Sequence, residues 1–401
     1  MGNSLLKYAT QFGFIFPVML ALTGIVSSAQ PATGRDAAFA LEQQGKFEEA
    51  EDAWRSIAKT QPSNAEAYAH LGFIEARQEH YKQAAPFYRK ALALDPAMPG
   101  LRLNLGLALF KGGELNEAIQ IFLPLLKSEP PSSPDAQRLT ALVGIADYGI
   151  GQYAAAIPYL EAAAANDRQN LQFRLLLAQS CLFSRQFQCV LDTYHEILAL
   201  NAESAEADML AGEAEDEMHN PAAAIEQFRA AVKTDPREPN VHFGLGYLLW
   251  TQNQFEEAAE QFQAELANVP DHPQALAFLA DSDMQLNKSK IAMPLIQKAL
   301  RIDPSVPRAH LDLGILYAEM GRRQEAVREF KTAAGLSPED PGPHWRLARL
   351  YQAMGNKTEA NLEFQKTSNL HKQENETIMS KLKAAQEKGK PANQSMLPAD
   401  K

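Results

Sequence analysis

The sequence predicts an all-α protein: a solenoid of about ten stacked helix-turn-helix repeats, with a capping helix at the C-terminal end. Two observations predict this fold. Prolines recur at a fixed interval, and small and bulky residues recur at fixed places inside each interval. A spacing of 34 residues separates the members of each of two proline series: Pro62, Pro96 and Pro130, and then Pro236, Pro270, Pro304 and Pro338.

The two proline series are out of phase by four residues. This offset predicts an insertion between them, and the segment "EPPSSP" at 129–134 has the composition of a loop. We therefore predict one longer connection there, after the third repeat.

Each interval contains two helical runs. In "AEAYAHLGFIEARQEHYKQAAPFYRKALALDP" (65–96), apolar residues fall at helical spacing on both sides of a break near Glu79 and His80. The first runs share a glycine, at Gly72, Gly106, Gly144, Gly212, Gly246 and Gly314. The second runs share a small residue, at Ala50, Ala84, Ala118, Ala156, Val190, Ala224, Ala258, Ala292, Ala326 and Ala360. A bulky residue follows four positions later, at Trp54, Tyr88, Phe122, Leu160, Tyr194, Phe228, Phe262, Ile296, Phe330 and Phe364.

Small residues at these places let two helices approach closely, and the bulky residue one turn later is expected to fill the gap between a helix pair and its neighbour. One helix pair buries too little apolar surface to be stable alone. Stacking of successive pairs supplies the missing burial.

This pattern of Leu-Gly, Ala, an aromatic residue and Pro resembles the tetratricopeptide repeat family over residues 31–370. The resemblance implies a right-handed superhelix whose first helices line a concave face. Two repeats depart from the pattern. The first has Asp36, Ala37 and Ala38 in place of the Leu-Gly pair, and the fifth lacks both its Gly and its Pro.

Both ends of the chain lie outside the repeats. Residues 371–388 continue with helix formers up to Gly389 and predict a polar helical extension that caps the array, followed by a disordered tail at 389–401.

At the other end, Lys7 precedes an apolar run over 12–26, and Ala29 ends a short run of small residues. This order predicts a secretory signal peptide, 1–29, and therefore a periplasmic or secreted protein. The alternative is an uncleaved segment, 12–26, that anchors the chain in a membrane.

Composition and motifs argue against several functions. A net charge of −11, spread along the chain, argues against a nucleic-acid partner, which requires a basic surface. The sequence contains no nucleophile elbow, phosphate loop or zinc motif, so we expect no enzyme activity and no cofactor or metal. His242, His310 and His344 share one place in three repeats, too far apart to share a metal without other ligands, and are expected to pack as ordinary polar residues.

Cys181 and Cys189 are the two cysteines of the chain. They fall on either side of the turn inside the fifth repeat, late in its first helix and early in its second. This placement is compatible with a disulfide and with a pair of free thiols.

The family resemblance implies that defined positions of the first helices face the groove. Counting from the prolines, these positions hold Leu103, Leu107, Phe110, Lys111, Arg138, Ile145, Tyr148, Gln172, Leu175, Gln179, Leu182, Phe183, Asn240, Phe243, Tyr247 and Trp250. We expect them to take no part in stacking. Phe243, Tyr247 and Trp250 share one helical face and are the best candidates for an anchor.

The segment "EAEDEMH" (213–219) resembles a metal or acid/base site at first sight. Helical spacing instead places Glu213, Asp216 and Glu217 in one acidic stripe on the groove side, with Glu215 turned away and His219 in the turn. Three interpretations remain: a solvated surface, recognition of a basic group on a partner, or a weak site for a divalent ion.

Two functional hypotheses follow. The favoured one is a non-catalytic scaffold in the cell envelope or secreted space, binding an extended or helical segment of a partner protein in its groove. The other is a structural or tethering subunit of an export or envelope-assembly complex, in contact with the membrane only if the N-terminal segment is retained.

Overall fold

The computed structural model describes residues 34–200 and 203–388, so the predicted signal peptide and the tail lie outside the described residues. The described chain is all-helical, with twenty helices and no strand. They occur in the order expected for ten helix-turn-helix repeats, which confirms the predicted fold class. None of these helices is both long enough and apolar enough to cross a bilayer.

The helices divide between two compact units, one up to Asn220 and one from Pro221. Unit 1 contains α1 (Gly34–Gln43), α2 (Phe47–Thr60), α3 (Ala65–Arg77), α4 (Tyr81–Leu94), α5 (Leu101–Lys111), α6 (Leu115–Ser128), α7 (Pro134–Gly149), α8 (Tyr153–Asn166), α9 (Leu171–Phe183), α10 (Phe187–Ala199) and α11 (Ala205–Glu217). Unit 2 contains α12 (Pro221–Thr234), α13 (Val241–Thr251), α14 (Phe255–Asn268), α15 (Pro273–Gln285), α16 (Ser289–Ile302), α17 (Pro307–Glu319), α18 (Arg323–Leu336), α19 (Pro341–Ala353) and α20 (Lys357–Lys388).

One residue in each repeat adopts the left-handed conformation and turns the chain from the first helix to the second. These residues are Gly45, Glu79, Gly113, Gly151, Arg185, His219, Asn253, Asn287, Gly321 and Gly355. They are 34 residues apart, except between Gly113 and Gly151, where the spacing is 38. The backbone therefore shows the same period and the same four-residue insertion as the prolines.

The loop that the sequence predicts to be longer takes up only one residue of the insertion. The connection before α7 (129–133) is one residue longer than the four-residue connection before α3, and α7 is three residues longer than the 13-residue α3. The reason is that Ser133 caps the helix by accepting a hydrogen bond from Ala136 N, while Pro134 favours the first helical position. Most of the insertion thus becomes an additional first turn of α7.

The helices of a repeat are held by a close contact between a small residue and a bulky one. A Cβ added to Gly106 would lie 2.5 Å from the Phe122 ring, and one added to Gly246 would lie 2.8 Å from the Phe262 ring. Phe122 and Phe262 have no exposed surface. The bulky residue therefore packs against the first helix of its own repeat, and not only in the gap between repeats.

Alanine occupies the place of the glycine in four repeats, at Ala38, Ala178, Ala280 and Ala348, and all four alanines are buried. The two irregular repeats therefore also keep a small, buried residue there. Near the end of the described residues Phe364 is half-buried, and within them no helix pair follows α20 to cover it. The helix α20 continues to Lys388, one residue before Gly389.

We expect Gly314→Ala to lower the free energy of unfolding by about 1–3 kcal/mol, because the new methyl group overpacks the core. The added Cβ would lie 2.6 Å from ring carbons of Phe330, which is itself buried. Thermal denaturation followed by circular dichroism measures the effect.

Gly335→Ala in α18 is the matched control, since an added Cβ there has no neighbour within 4 Å. This substitution should raise the stability by about 0.5–1 kcal/mol through the higher helix propensity of alanine. Equal melting temperatures for the two variants would contradict the close contact.

Candidate functional site

Four aromatic side chains form a continuous surface in unit 2, which we call the aromatic surface: Phe243, Tyr247 and Trp250 of α13 and Phe278 of α15. The Phe278 ring lies 6.0 Å from that of Phe243, 5.4 Å from that of Tyr247 and 5.1 Å from that of Trp250. Tyr247 is 39% exposed and the other three are half-buried. The three residues that the sequence places on one face of α13 therefore lie together, and they gain a fourth ring from the next repeat.

The backbone of α13 is held close to both neighbouring second helices. Gly244 leaves room for the Phe228 ring of α12, and Gly246 leaves room for the Phe262 ring of α14. The buried Glu265 carboxylate accepts a hydrogen bond of 3.1 Å from Phe243 N in the first turn of α13. Close packing and this capping contact fix the helix that carries the aromatic surface.

Asn240 and His272 support the start of α13. Asn240 has a left-handed backbone, with φ of 66°, and precedes the first residue of the helix. Its Oδ1 lies 3.1 Å from Nε2 of His272, and the His272 ring stacks on Phe243 at 5.0 Å. The predicted groove residue Asn240 therefore positions the aromatic surface from its edge.

Trp250 is fixed by a chain of polar contacts that spans three first helices. Its Nε1 donates a 2.5 Å hydrogen bond to Asp281 of α15, and Asp281 is also paired with Arg308 of α17. The Arg308 guanidinium lies 4.9 Å from the centre of the Trp250 ring. Arg308 Nε donates a further bond of 3.1 Å to Asp312. Trp250 is thus a structural member of unit 2 as well as part of the aromatic surface.

Asp312 occupies an unusual electrostatic position in this chain of contacts. Its side chain has no exposed surface, and Oδ1 has no hydrogen-bond partner among the described residues. Burial has the largest effect and raises the pKa of Asp312, and the nearby Asp281 carboxylate raises it further. The positive charges of Arg308 and Arg346 lower it, and the resulting pKa is about 7. Asp312 therefore exchanges its proton near neutral pH.

In unit 1, three predicted groove residues are not open to a groove. Phe110, Ile145 and Leu175 are at most 7% exposed and belong to the apolar core of the unit. The prediction that they take no part in stacking is wrong. Ile145 and Leu175 are covered because α7 packs against α9 and α9 packs against α11. Phe110 lies against Phe122 of its own repeat, with ring centres 6.3 Å apart. Leu103 and Leu107 are half-buried against the same core.

Three of the other predicted residues of unit 1, Tyr148, Gln179 and Phe183, belong to a polar and aromatic row. Tyr148 donates a 2.6 Å hydrogen bond to Gln179 Oε1, and Gln179 Nε2 donates a 2.5 Å bond to Glu206. Phe183 is 50% exposed, and its ring lies 4.6 Å from that of Tyr153. The row links α7, α9 and α11, with Phe183 as its open aromatic group.

The acidic stripe is exposed at the end of α11. Glu217 accepts a 2.7 Å bond from Arg185, and Glu215 accepts one of 2.9 Å from Asn220. Desolvation by the surrounding chain, followed by the charge of Glu217, raises the pKa of both Glu213 and Asp216, although both side chains remain open to solvent. Within 34–200 and 203–388, no three His, Cys, Asp or Glu side chains are arranged to hold a metal ion.

The three equivalent histidines make equivalent contacts with the second helix of their own repeats. Nδ1 lies 2.8 Å from Gln261 in His242, 2.7 Å from Glu329 in His310, and 2.5 Å from Glu363 in His344. Each partner is 19 residues further along the chain. These histidines therefore link the two helices of a repeat.

A disulfide joins Cys181 of α9 to Cys189 of α10, with Cα atoms 5.9 Å apart. Cys181 is fully buried and Cys189 is half-buried. The bond connects the two helices of the fifth repeat across their turn, in the repeat whose sequence departs most from the common pattern.

We expect the free energy of unfolding to fall as the pH rises from about 4 to about 7. The pKa of Asp312, about 7, lies above its ordinary value of 3.8, so the folded protein keeps a proton that the unfolded chain releases. The stabilisation is complete below about pH 4 and is lost as the pH rises through about 7. Asp312→Asn removes this titration, so its stability should fall less over the same range in chemical denaturation.

Asp271→Asn replaces a carboxylate that is 75% exposed in the same unit, and it should keep the wild-type pH dependence. An Asp312→Asn variant with that same wild-type dependence would show that Asp312 is already ionised throughout the range.

Comparison with known proteins gives matches of limited extent. A protein named CTR9 homolog from Arabidopsis thaliana is 29% identical over 119 residues, which are 29% of this chain and 10% of that protein. The TPR repeat-containing thioredoxin TTL4 from the same organism is 31% identical over 85 residues, 21% of this chain and 12% of that protein. The chain therefore spans about a tenth of the length of these relatives.

Solved structures with a similar arrangement of helices include the APC/C hetero-tetramer Cut9-Hcn1 and MamA. The first has a TM-score of 0.47 and 17% identity, and the match covers 77% of this chain and 59% of that one. MamA has a TM-score of 0.34 and 18% identity, with 41% of this chain and 96% of that one covered.

Two family models, both described as Tetratricopeptide repeat, match the sequence directly. One matches residues 35–99, 209–273 and 278–341, and the other matches residues 75–143. Neither description names a catalytic activity. Together the matches cover more than half of the chain and fall on the helix pairs described above, and the chain belongs to the tetratricopeptide repeat family.

Proposed function

We propose that this protein is a non-catalytic scaffold that binds an extended or helical segment of a partner protein, with the aromatic surface of unit 2 as the anchor. The repeat family supports the coarser part, a protein-interaction scaffold. The aromatic surface supports the finer part, since clustered aromatic rings with polar surroundings are typical of binding hot spots.

One observation carries the choice of this surface over the other predicted residues. Tyr247 is open to solvent, whereas its helix is held by the close contacts at Gly244 and Gly246, and the neighbouring Trp250 ring is held by the Asp281 carboxylate. A rigid aromatic surface loses little conformational entropy when a partner binds.

In unit 1, Phe183 is also open to solvent, but its ring packs against that of Tyr153 rather than within a group of four rings. Phe110, Ile145 and Leu175 are buried.

The protein is proposed to act outside the cytoplasm, in the periplasm or the secreted space. The apolar run over 12–26 followed by small residues supports export, and so does the disulfide between Cys181 and Cys189. The second candidate function, a tethering subunit of an envelope or export complex, is favoured by the length of the apolar run, which approaches that of a membrane span.

The experiment that tests the proposed site is photo-cross-linking from position 247, followed by binding of the captured segment to purified protein. We expect Tyr247→Ala to weaken that binding by about tenfold to a hundredfold, the effect of losing a hot-spot ring. Its melting curve should stay close to that of the wild type, because Tyr247 is exposed. Trp250→Ala is unsuitable as a test, because the Asp281 carboxylate would lose a buried partner.

Trp345 is the matched control, an aromatic side chain of the same unit with the same exposed fraction of 39%. Trp345→Ala should leave the affinity for the captured segment unchanged. The proposal fails if Tyr247→Ala binds the segment as tightly as Trp345→Ala does.

Export predicts a processed chain whose first residue is Gln30, after cleavage at Ala29. N-terminal sequencing of protein from fractionated cells should find this residue in the soluble extracytoplasmic fraction. A chain that retains residues 12–26 and sediments with membranes would support the tethering function instead.

A further inference from the structure

A cavity of about 480 Å³ lies in unit 1 between the start of α5 and the start of α7. It exists because these two helices start at different levels. The helix α5 begins only at Leu101, after Gly100 with a left-handed φ of 74°, whereas the insertion gives α7 an additional first turn. With 11 residues, α5 is two residues shorter than α3, and the additional first turn of α7 lies beside the space in front of it.

The walls of this cavity are mostly apolar. They are formed by side chains of the loop before α5, of α5, of the end of α6 and of α7, chiefly Met98, Leu103, Leu107, Leu125, Leu139 and Leu142. Its volume falls in the range of about 300–1,000 Å³ that is typical of small-molecule sites. Leu103 and Leu107, which the sequence assigns to the groove, therefore line a cavity rather than a flat surface.

The rim carries two arginines and two carboxylates, and three of these four groups contact neighbouring side chains. Arg138 pairs with Asp135 at 3.3 Å, and Glu129 accepts a 3.3 Å hydrogen bond from the Ser133 hydroxyl. Arg102 also lines the cavity and is exposed, and it has no hydrogen bond or ion pair within the described part of the chain. Arg102 is therefore the charged group that is left to contact a ligand, and it complements an apolar body that carries a negative charge.

We propose that this cavity binds a small amphiphilic carboxylic acid, with its apolar body among the leucines and its carboxylate against Arg102. A guanidinium group beside an apolar wall is well suited to this head group, since its planar donors match a carboxylate and its charge is permanent. The site belongs to unit 1 and does not depend on the aromatic surface of unit 2.

The test is calorimetric titration of the full chain with decanoate below its micelle-forming concentration, and with decanol as the uncharged analogue of equal length. We expect saturable binding of one decanoate per chain and at least tenfold weaker binding of decanol. Arg102→Ala should weaken decanoate binding about tenfold and leave decanol binding unchanged, because only the charged head group contacts Arg102.

Arg168→Ala is the matched control, since Arg168 is likewise exposed and unpaired within the described residues but does not line the cavity. Leu107→Gln should weaken the binding of both ligands, and its melting curve shows whether it is folded. Arg102 is exposed, so Arg102→Ala is expected to fold. This variant therefore still tests the site if Leu107→Gln does not fold.

Three results would overturn this inference: decanoate uptake that does not saturate, equal affinities for decanoate and decanol, or an Arg102→Ala variant that binds decanoate like Arg168→Ala. Tyr247→Ala should bind decanoate as the wild type does. A result that contradicts the ligand site in the cavity can therefore be distinguished from a result that contradicts the proposed partner site.

Discussion

The structure depends on one contact that recurs along the chain, a small residue of the first helix against a bulky side chain of the second. Gly106 against Phe122 in unit 1 and Gly314 against Phe330 in unit 2 are examples. Because the first helix has no side chain at that place, the bulky ring lies directly against its backbone and the helices approach closely. The other apolar residues of the first helix must find contacts elsewhere. Most find them in the next repeat. On α13, which has both Gly244 and Gly246, several of these apolar residues remain at the surface.

The polar contacts of unit 2 complete this arrangement. Asp281 receives a hydrogen bond from Trp250 and an ion pair from Arg308, so three successive first helices are linked through one buried carboxylate. Buried charges of this kind contribute little net stability, but they tolerate few alternative arrangements. Their effect here is to hold the Trp250 ring in one orientation beside Tyr247, which is what a rigid binding surface requires.

The sequence was sufficient to predict the period, the two helices of each repeat and the residues at their contact, because those features repeat ten times. It also predicted that Phe243, Tyr247 and Trp250 share a face, which follows from helical geometry alone. Burial of Phe110, Ile145 and Leu175 was not predictable in this way. Periodicity tells which face a residue occupies, but how far the next first helix covers that face depends on the side chains of both.

Features that depend on residues far apart in the chain were also missed. The partner of Trp250, Asp281, is 31 positions away and looks like any other surface carboxylate in the sequence. The insertion was visible in the proline spacing, but its conversion into a turn of helix depended on Ser133 and Pro134 acting as a cap. The cavity beside it follows from that turn and from the late start of α5, which Gly100 sets.

Hydrogen–deuterium exchange of the full chain, with and without the cross-linked partner segment, tests whether the partner binds to the aromatic surface. Binding there should slow exchange in α13 and α15, the two helices that carry this surface, and leave exchange unchanged in α18, which is a second helix. Slower exchange confined to second helices or to chain ends, with α13 and α15 unaffected, would contradict binding at the aromatic surface.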